Sequence, residues 1–366
     1  MKRYFEEKRP TMYRTMKYWG KKPHNIWGEL IKENTKPNDI VLDPFSGSGI
    51  AFFESIKLNR KPIAIDINPL SSFIIKIYNE EYDLNHIKKI AKKIQIEVKS
   101  SDIYKKNFLT SCSSCNSKTD IYNYIWEDNQ ITSKNYKCLI CKKTLRDKQT
   151  HVDYDIEDLG YWKPSFDLSN LASISQATLK KFGGNDYSYL WTKRNFQLLS
   201  HLFKLINELS EPYKKIFIFA FLQTLHLTTK MCSVRGEKVN RPLSASWGRP
   251  AYMALSKFME QNPLIQFDRA LNGNSGVIKA LQSKDIHISK NYDITHEWSA
   301  NIDSLVINDN FLNVKNLPEI DFIITDPPYG STIQYGELSL IWNLWLVKAY
   351  PEYKINLDDE IIINKK

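Results

Sequence analysis

The chain has 366 residues, with 51 Lys and Arg against 41 Asp and Glu, a net charge of +10 and a pI near 9.1. That length holds two or three domains with a sizeable core, and the basic balance favours a polyanionic partner, nucleic acid before membrane, unless it merely reflects a Lys-rich proteome. The opening residues Met1 to Lys8 lack the apolar core of a secretory leader, and the longest apolar run, Ile216 to Leu222, is far too short to cross a bilayer. Four of the five cysteines fall in two C-x-x-C pairs, which points to a metal site in a reducing, cytoplasmic compartment rather than to disulfides.

In chain order, an aromatic and basic stretch, Met16 to His24, leads into an amphipathic segment around Ile26, Trp27, Leu30 and Ile31 that reads as a helix. Asp39-Ile-Val-Leu-Asp43 is a short buried strand. It runs into Pro44-Phe45-Ser46-Gly47-Ser48-Gly49 and then a helical stretch from Ile50 to Leu58. Strand, glycine turn and helix together form a context in which glycines let a ligand approach the backbone closely. A second strand, Pro62 to Asp66, ends in an acid, at about the distance from the turn expected of a carboxylate that grips ribose hydroxyls.

Tyr82 to Lys106 is basic and helical. Cys112-Ser-Ser-Cys115 and Cys138-Leu-Ile-Cys141 follow, separated by 22 residues, with a strand-like Ile121 to Trp126 between them. Doubled C-x-x-C units at that separation read as a zinc ribbon, and four thiolates leave no open position, so the ion would be structural. The alternatives are cysteines packed as small hydrophobes, or a site that has lost its metal. From Lys105 to Thr150, nine Lys or Arg stand against four acids, a surface suited to nucleic acid or simply to solvent.

Asn195 to Glu208 and Tyr213 to Thr228 read as two long apolar helices, joined across Ser210-Glu211-Pro212. Lys230 to Lys257 holds six Lys or Arg against one acid, interleaved with Trp247 and Tyr252, a pattern that serves a DNA-contacting loop or an ordinary connection. Cys232 reads as a buried thiol, and His201 and His226 as core histidines. Leu305 to Asp309 is a third short strand ending in an acid. Ile320 to Thr325 is a fourth, and it runs into Asp326-Pro327-Pro328-Tyr329-Gly330. Two prolines remove two donors and leave carbonyls free to accept, with a carboxylate before them and a ring after. That set suits a planar group bearing an amine. Leu338 to Tyr350 reads as a Trp-rich helix.

Taken together, Asp43-Pro-Phe-Ser-Gly-Ser-Gly49, Asp66 and Asp326-Pro-Pro-Tyr329 resemble the S-adenosylmethionine-dependent amino-methyltransferases, which methylate N6 of adenine or N4 of cytosine in DNA. Lys17-Tyr-Trp-Gly-Lys-Lys22 resembles the cofactor-contacting motif preceding the glycine loop in members with this motif order. The resemblance implies an α/β fold, a Rossmann-like class I methyltransferase sheet, with an inserted zinc ribbon and helical region. It implies a cofactor part at 1–105, the ribbon at 106–150, a helical, target-recognising insertion at 151–295, and a catalytic part at 296–366. Lys22 would meet the methionine carboxylate, and Asp43, Pro44, Phe45, Gly47 and Gly49 would shape the cofactor pocket. Asp66 would hold the ribose and Asp309 would lie near the adenine. Asp326, Pro327, Pro328 and Tyr329 would be catalytic, and Cys112, Cys115, Cys138 and Cys141 would hold zinc.

DNA is the implied partner, in a restriction-modification or defence setting. The family sheet has about three further strands after the catalytic one, whereas 36 residues follow Gly330, so a second polypeptide completing the domain is also expected. Two other functions fit the motifs, an RNA guanine-N2 methyltransferase and a catalytically silent DNA-binding subunit or remnant.

Overall fold

A computed structural model describes residues 5–15, 17–148, 162–166, 186–234, 243–244, 252–286, 292–293, 298–299, 301–328 and 333–361. These divide into two compact units, one of residues 1–82 and 272–366, the other of residues 83–271. The helices of the first part of the chain are α1 (Thr11–Thr15), α2 (His24–Asn34), α3 (Ile50–Lys57), α4 (Pro69–Tyr78), α5 (Leu84–Ser100) and α6 (Asp102–Phe108). Later helices are named here by their ranges. The strands are β1 (Ile40–Asp43), β2 (Lys61–Ile65), β3 (Leu109–Ser111), β4 (Lys118–Glu127), β5 (Gln130–Lys137), β6 (Thr144–Lys148), β7 (Cys232–Ser233), β8 (Leu243–Ser244), β9 (Lys257–Gln261), β10 (Tyr292–Asp293), β11 (Ser304–Ile307) and β12 (Phe322–Ile323).

The first unit is built on a parallel sheet in the order β10-β11-β2-β1-β12. Its strands are short, β-branched runs with little polar alternation, because both faces are covered. On one face Leu42, Ile63, Ile65, Leu305 and Ile307 form a core against which Trp298, Phe311, Val314 and Leu317 pack. Elsewhere α3 and α4 are almost wholly buried, and the helix Tyr335–Ala349 buries Trp342 and Trp345. The chain passes from β1 through α3 to β2 on one side, while β12 lies on the other side of β1 in parallel register, Leu42 opposite Ile323. The order therefore reverses at the carboxyl end of β1, where open α/β sheets hold their ligands. Among the described residues no strand pairs beyond β12, and Ile323 there is 57% exposed.

The second unit carries an antiparallel sheet in the order β6-β5-β4-β9-β7-β8, with β3 also on β4. Against it run α5, α6 and the helices Lys193–Asn207 and Tyr213–Leu227, the two apolar helices expected from the sequence. The β4–β9 pairing joins Asn123 to Gln261 and Glu127 to Lys257. No local pattern of residues marks it. Beneath it Arg194 Nε meets Glu260 Oε1 at 2.9 Å, the pair being 5% and 0% exposed. Glu260 also accepts from Trp126 Nε1 and Thr192 Oγ1, and the Arg194 guanidinium lies 4.4 Å over the Tyr124 ring. A charge buried at that depth survives because it is paired with a guanidinium and both carboxylate oxygens have a donor.

Cys232 and His226 are buried, and burial pushes the Cys232 thiol up to about 12. Tyr252 is buried edge-on against Tyr187 at 6.0 Å, so its ring is not offered to a base. Trp247 and the Gly-Arg-Pro beside it lie outside the described residues. No described helix is long and apolar enough to cross a membrane.

Candidate active site

Lys22, Asp43, Pro44, Phe45, Gly47, Asp66, Asp309, Asp326 and Pro328 line one cleft at the carboxyl ends of β1, β2, β11 and β12. The turn after β1 owes its shape to glycine. Gly47 and Gly49 have φ of 51° and 75°, in the left-handed region. A Cβ on Gly49 would stand 2.6 Å from Ile75, and one on Gly47 3.2 Å from the Tyr18 ring. Gly49 lets α3 start against α4, whereas Gly47 lies at the cleft wall.

Asp66, at the end of β2, holds this turn. Its carboxylate accepts from Gly47 N at 2.6 Å and from Asn68 N at 2.8 Å. Asn308, after β11, donates to the Asp66 and Ile67 carbonyls and ties the two strand ends together. Burial raises Asp66, opposed by those two amide bonds. Asp43 is 4% exposed and accepts from Phe45 N at 3.1 Å. Burial pushes it up to about 7, against the lowering pull of the Phe45 amide and with Asp66 adding repulsion.

This carboxyl links the site to pH. The folded state holds the Asp43 proton more tightly than the unfolded chain does. The stability from that proton is whole below the usual value of 3.8 and is lost as pH rises toward 7. The full span corresponds to about 4 kcal/mol at most. Asp43→Asn keeps the acceptor and removes the titration, so urea denaturation should show it gaining on the parent from pH 5 to pH 8. An unchanged difference at the two pH values would remove the assignment.

Lys22 lies against Asp326, its Nζ paired with Oδ2. The resemblance turned Lys22 toward a cofactor carboxylate, and here its ammonium meets the strand-end acid on the cleft lining. Lys21 is lowered to about 7, first by burial and then by Arg9 and Lys17, and its Nζ donates to the Tyr13 carbonyl at 2.7 Å. Tyr329 lies outside the described residues, and Pro327 and Gly49 stand beside the cleft rather than on its lining. Asp309 is on the lining, accepting from Asn310 N at 2.6 Å and Asn313 Nδ2 at 3.0 Å.

Two groups of lining residues were not read from the sequence. Asn68 and Asn343 form a buried pair, Asn343 Nδ2 donating to Asn68 Oδ1 at 3.0 Å, and Asn343 Oδ1 has no partner among the described residues. The segment 355–361 also lines the cleft. Glu360 in it accepts from Gly336 N at 2.8 Å and is pushed up to about 7, by burial first and then by Asp66 and Glu337. No periodicity marks that segment; only its acids, Asp358, Asp359 and Glu360, could have drawn attention.

Among the described residues that line the cleft, the acids Asp43, Asp66, Asp309, Asp326, Asp359 and Glu360 stand with two lysines, Lys21 and Lys22. Even with Asp43 and Glu360 pushed up to about 7 and Lys22 paired with Asp326, the acids of this lining outnumber its lysines, a balance that suits a ligand with positive charge. A sulfonium nucleoside carrying an ammonium group fits that balance and the backbone approach opened at Gly47.

In the second unit the four cysteines come together, every Sγ within 4.8 Å of the others. Cys112 and Cys141 are 3.8 Å apart and Cys115 and Cys138 3.6 Å. Tetrahedral thiolates about 2.3 Å from a zinc ion would lie roughly 3.8 Å from each other, so the cluster could bind zinc. The Ser117 hydroxyl, followed by the Cys141 and Ile140 amides, lowers the Cys138 thiol, while against the pull of the Lys143 amide, burial and the three neighbouring thiols raise the Cys141 thiol.

Residues 3–76 match the family model described as DNA methylase. The type II methyltransferase M.MjaII of Methanocaldococcus jannaschii is 32% identical over 73 residues, 20% of this chain and 14% of the relative. The type II methyltransferase M.HpaI of Haemophilus parainfluenzae is 47% identical over 47 residues, 13% of this chain and 15% of the relative. These alignments span about one-seventh of the length of either relative. No solved structure matches. The glycine turn, its supporting Asp66 and strands β1 and β2 thus lie within the segment similar to the DNA methylase model and to these type II methyltransferases, whereas β10, β11 and β12 of the same sheet lie beyond it.

Proposed function

We propose that the chain transfers a methyl group from S-adenosylmethionine to an exocyclic amine of a DNA base, N6 of adenine before N4 of cytosine. The observation that carries this reading is the adjacency of β1 and β12. Parallel pairing brings the glycine turn after one strand and Asp326 after the other to a single cleft. The cofactor supplies an electrophilic methyl on a positive sulfur. Phe45 and the Gly47 backbone would form its pocket wall, Asp43 and Asp66 would face its positive charge and ribose hydroxyls, Asp309 its adenine, and Lys22 its carboxylate.

A base amine is a poor nucleophile because its lone pair is delocalised into the ring. Accepting its two N–H bonds at the Asp326 carboxylate and the Pro327 carbonyl draws the nitrogen toward tetrahedral geometry. Both acceptors gain most as positive charge develops on that nitrogen, so the stabilisation favours the transition state. In that transfer the new N–C bond would replace the S–C bond of the bound cofactor, whose electron pair would stay with sulfur. The proton then leaves a cationic amine, which needs no strong base. Pro328 fixes the turn, and Tyr329 would stack on a base drawn out of the duplex.

We assign zinc to the four cysteines as a structural ion. A restriction-modification or defence role, in the cytoplasm, is the setting this chemistry fits. One observation favours a complementing polypeptide, namely the unpaired β12 edge among the described residues with Ile323 exposed.

Nucleoside mass spectrometry after incubation with cofactor and either duplex DNA or tRNA tests the reading. N6-methyladenine or N4-methylcytosine in DNA is expected, from the chain alone or with the product of a neighbouring gene. Label confined to guanine N2 in tRNA would replace it with the RNA reading, and none in any setting would leave a silent binding subunit.

A further inference from the structure

The helix α5 carries a face that its packing does not use. Ile87, Ile94 and Val98 are buried, and Asp83 caps the N-terminus by accepting from Asn85 N and His86 N. At 3.6 residues per turn, Lys88, Lys89, Lys92, Lys93 and Lys99 fall within one arc of about 140°, together with Asn85, Ile96 and Ser100. No acid lies in that arc. Lys88, Lys89, Lys92 and Lys93 are exposed, and Ile96 in their midst is 60% exposed. Lys99 is engaged with Asp120 of β4, which leaves four lysines on two successive turns. Like charges at such spacings repel and weaken a helix. Glu97, the single acid of the helix, stands at the edge of that arc one turn beyond Lys93 and offsets only part of this charge, so the four-lysine face is arranged for a polyanion rather than for its own stability.

We propose that this face of α5 is a docking surface for the phosphate backbone of duplex DNA. The inference rests on the DNA reading above for the identity of the polyanion. An acidic membrane is the poorer partner, because a helix lying in a bilayer inserts its apolar face, and here that face is buried in protein. Two lysine pairs one turn apart, about 6 Å along the axis, can follow successive phosphates of one strand. They would position the duplex without reading sequence.

The test uses the full chain with all four lysines replaced, Lys88→Gln, Lys89→Gln, Lys92→Gln and Lys93→Gln, since Gln and Lys have similar helix propensities. A control of equal charge carries Lys32→Gln, Lys36→Gln, Lys315→Gln and Lys354→Gln, all exposed and all in the other unit. The dissociation constant for a duplex is measured by fluorescence anisotropy from 50 to 300 mM NaCl. Each lost phosphate contact should lower the slope of log affinity against log salt by about 1. The α5 variant should therefore lose about 3 to 4 of slope and bind at least tenfold more weakly at 150 mM, while the control keeps the parent slope.

Equal slopes in parent and α5 variant would overturn the inference and leave the DNA reading standing. Equal losses in both variants would also overturn it, by showing diffuse charge. Binding to anionic phosphatidylserine vesicles but not to DNA would overturn it in favour of a membrane. A parent that neither binds nor methylates DNA removes the DNA reading itself, and this inference with it.

Discussion

Replacing Asp326 with Asn should lower methyl transfer by on the order of 10²- to 10³-fold, the usual cost of removing one preorganised electrostatic partner of a transition state. The carboxylate is the charged acceptor at the end of β12, and an amide in its place presents two N–H donors of its own to the amine. Cofactor binding should move differently. Lys22 is paired with Asp326, so the Asn variant frees the ammonium, and titration calorimetry should show binding as tight as in the parent or tighter. Lys22→Gln should weaken that binding. An Asp326→Asn chain that methylates at the parent rate would sink the assignment, because no other described acid stands at the end of β12.

Removing zinc should open the ribbon and leave part of its sheet standing. Ions at four-thiolate sites contribute about 10–16 kcal/mol of apparent binding free energy in small zinc modules, more than a ribbon of this size can replace with its apolar contacts. The effect should not be uniform. Among the described residues β6 pairs only with β5, and β3 only with β4, next to the cysteine knuckles. β4 is also anchored on β9, through Asn123 to Glu127. After chelation, or in Cys112→Ser, amide exchange should become fast across Leu109–Ser111 and Thr144–Lys148 and stay slow across Tyr124–Trp126. One zinc per chain by atomic absorption is expected beforehand. A metal-free chain with an intact β6 would instead make the four cysteines a packed thiol cluster.

The parts legible in the sequence were those whose signal is local. The runs at Asp39–Asp43, Pro62–Asp66 and Leu305–Asp309 are short and β-branched, and they end in acids that the strand geometry carries to one edge of the sheet. Glycines at 47 and 49 sit where φ is positive, so the turn could be read from residue type alone. The four cysteines announced their own convergence.

What stayed hidden depends on pairings across long stretches of chain. Lys257-Phe-Met-Glu-Gln261 has no alternation that marks a strand, and it becomes one because β4, some 130 residues earlier, offers it a ladder. The Arg194–Glu260 pair is invisible for the same reason, since either residue alone reads as surface. Tyr252 carried a misleading local signal: aromatic residues among basic ones suggested stacking, and burial against Tyr187 uses the ring instead. The segment 355–361 has neither period nor motif, and it lines the cleft only through tertiary packing.

The strand that delivers Asp326 is held by little. Among the described residues β12 pairs only with β1, over two residues, with Asp321 N to the Ile40 carbonyl at 3.1 Å and Ile324 N to the Leu42 carbonyl at 3.0 Å at its ends. β1, by contrast, is flanked on both sides. Opening free energy within one fold follows such anchoring, so the amide of Ile324 should lose its hydrogen to solvent deuterium well before those of Leu42 or Ile63. The acid then rides on a readily detached edge rung of the sheet. Whatever binds against that rung, a base in the cleft or a strand along the open side, would slow this exchange, and the protection gained at Ile324 would report how firmly Asp326 is held for reaction.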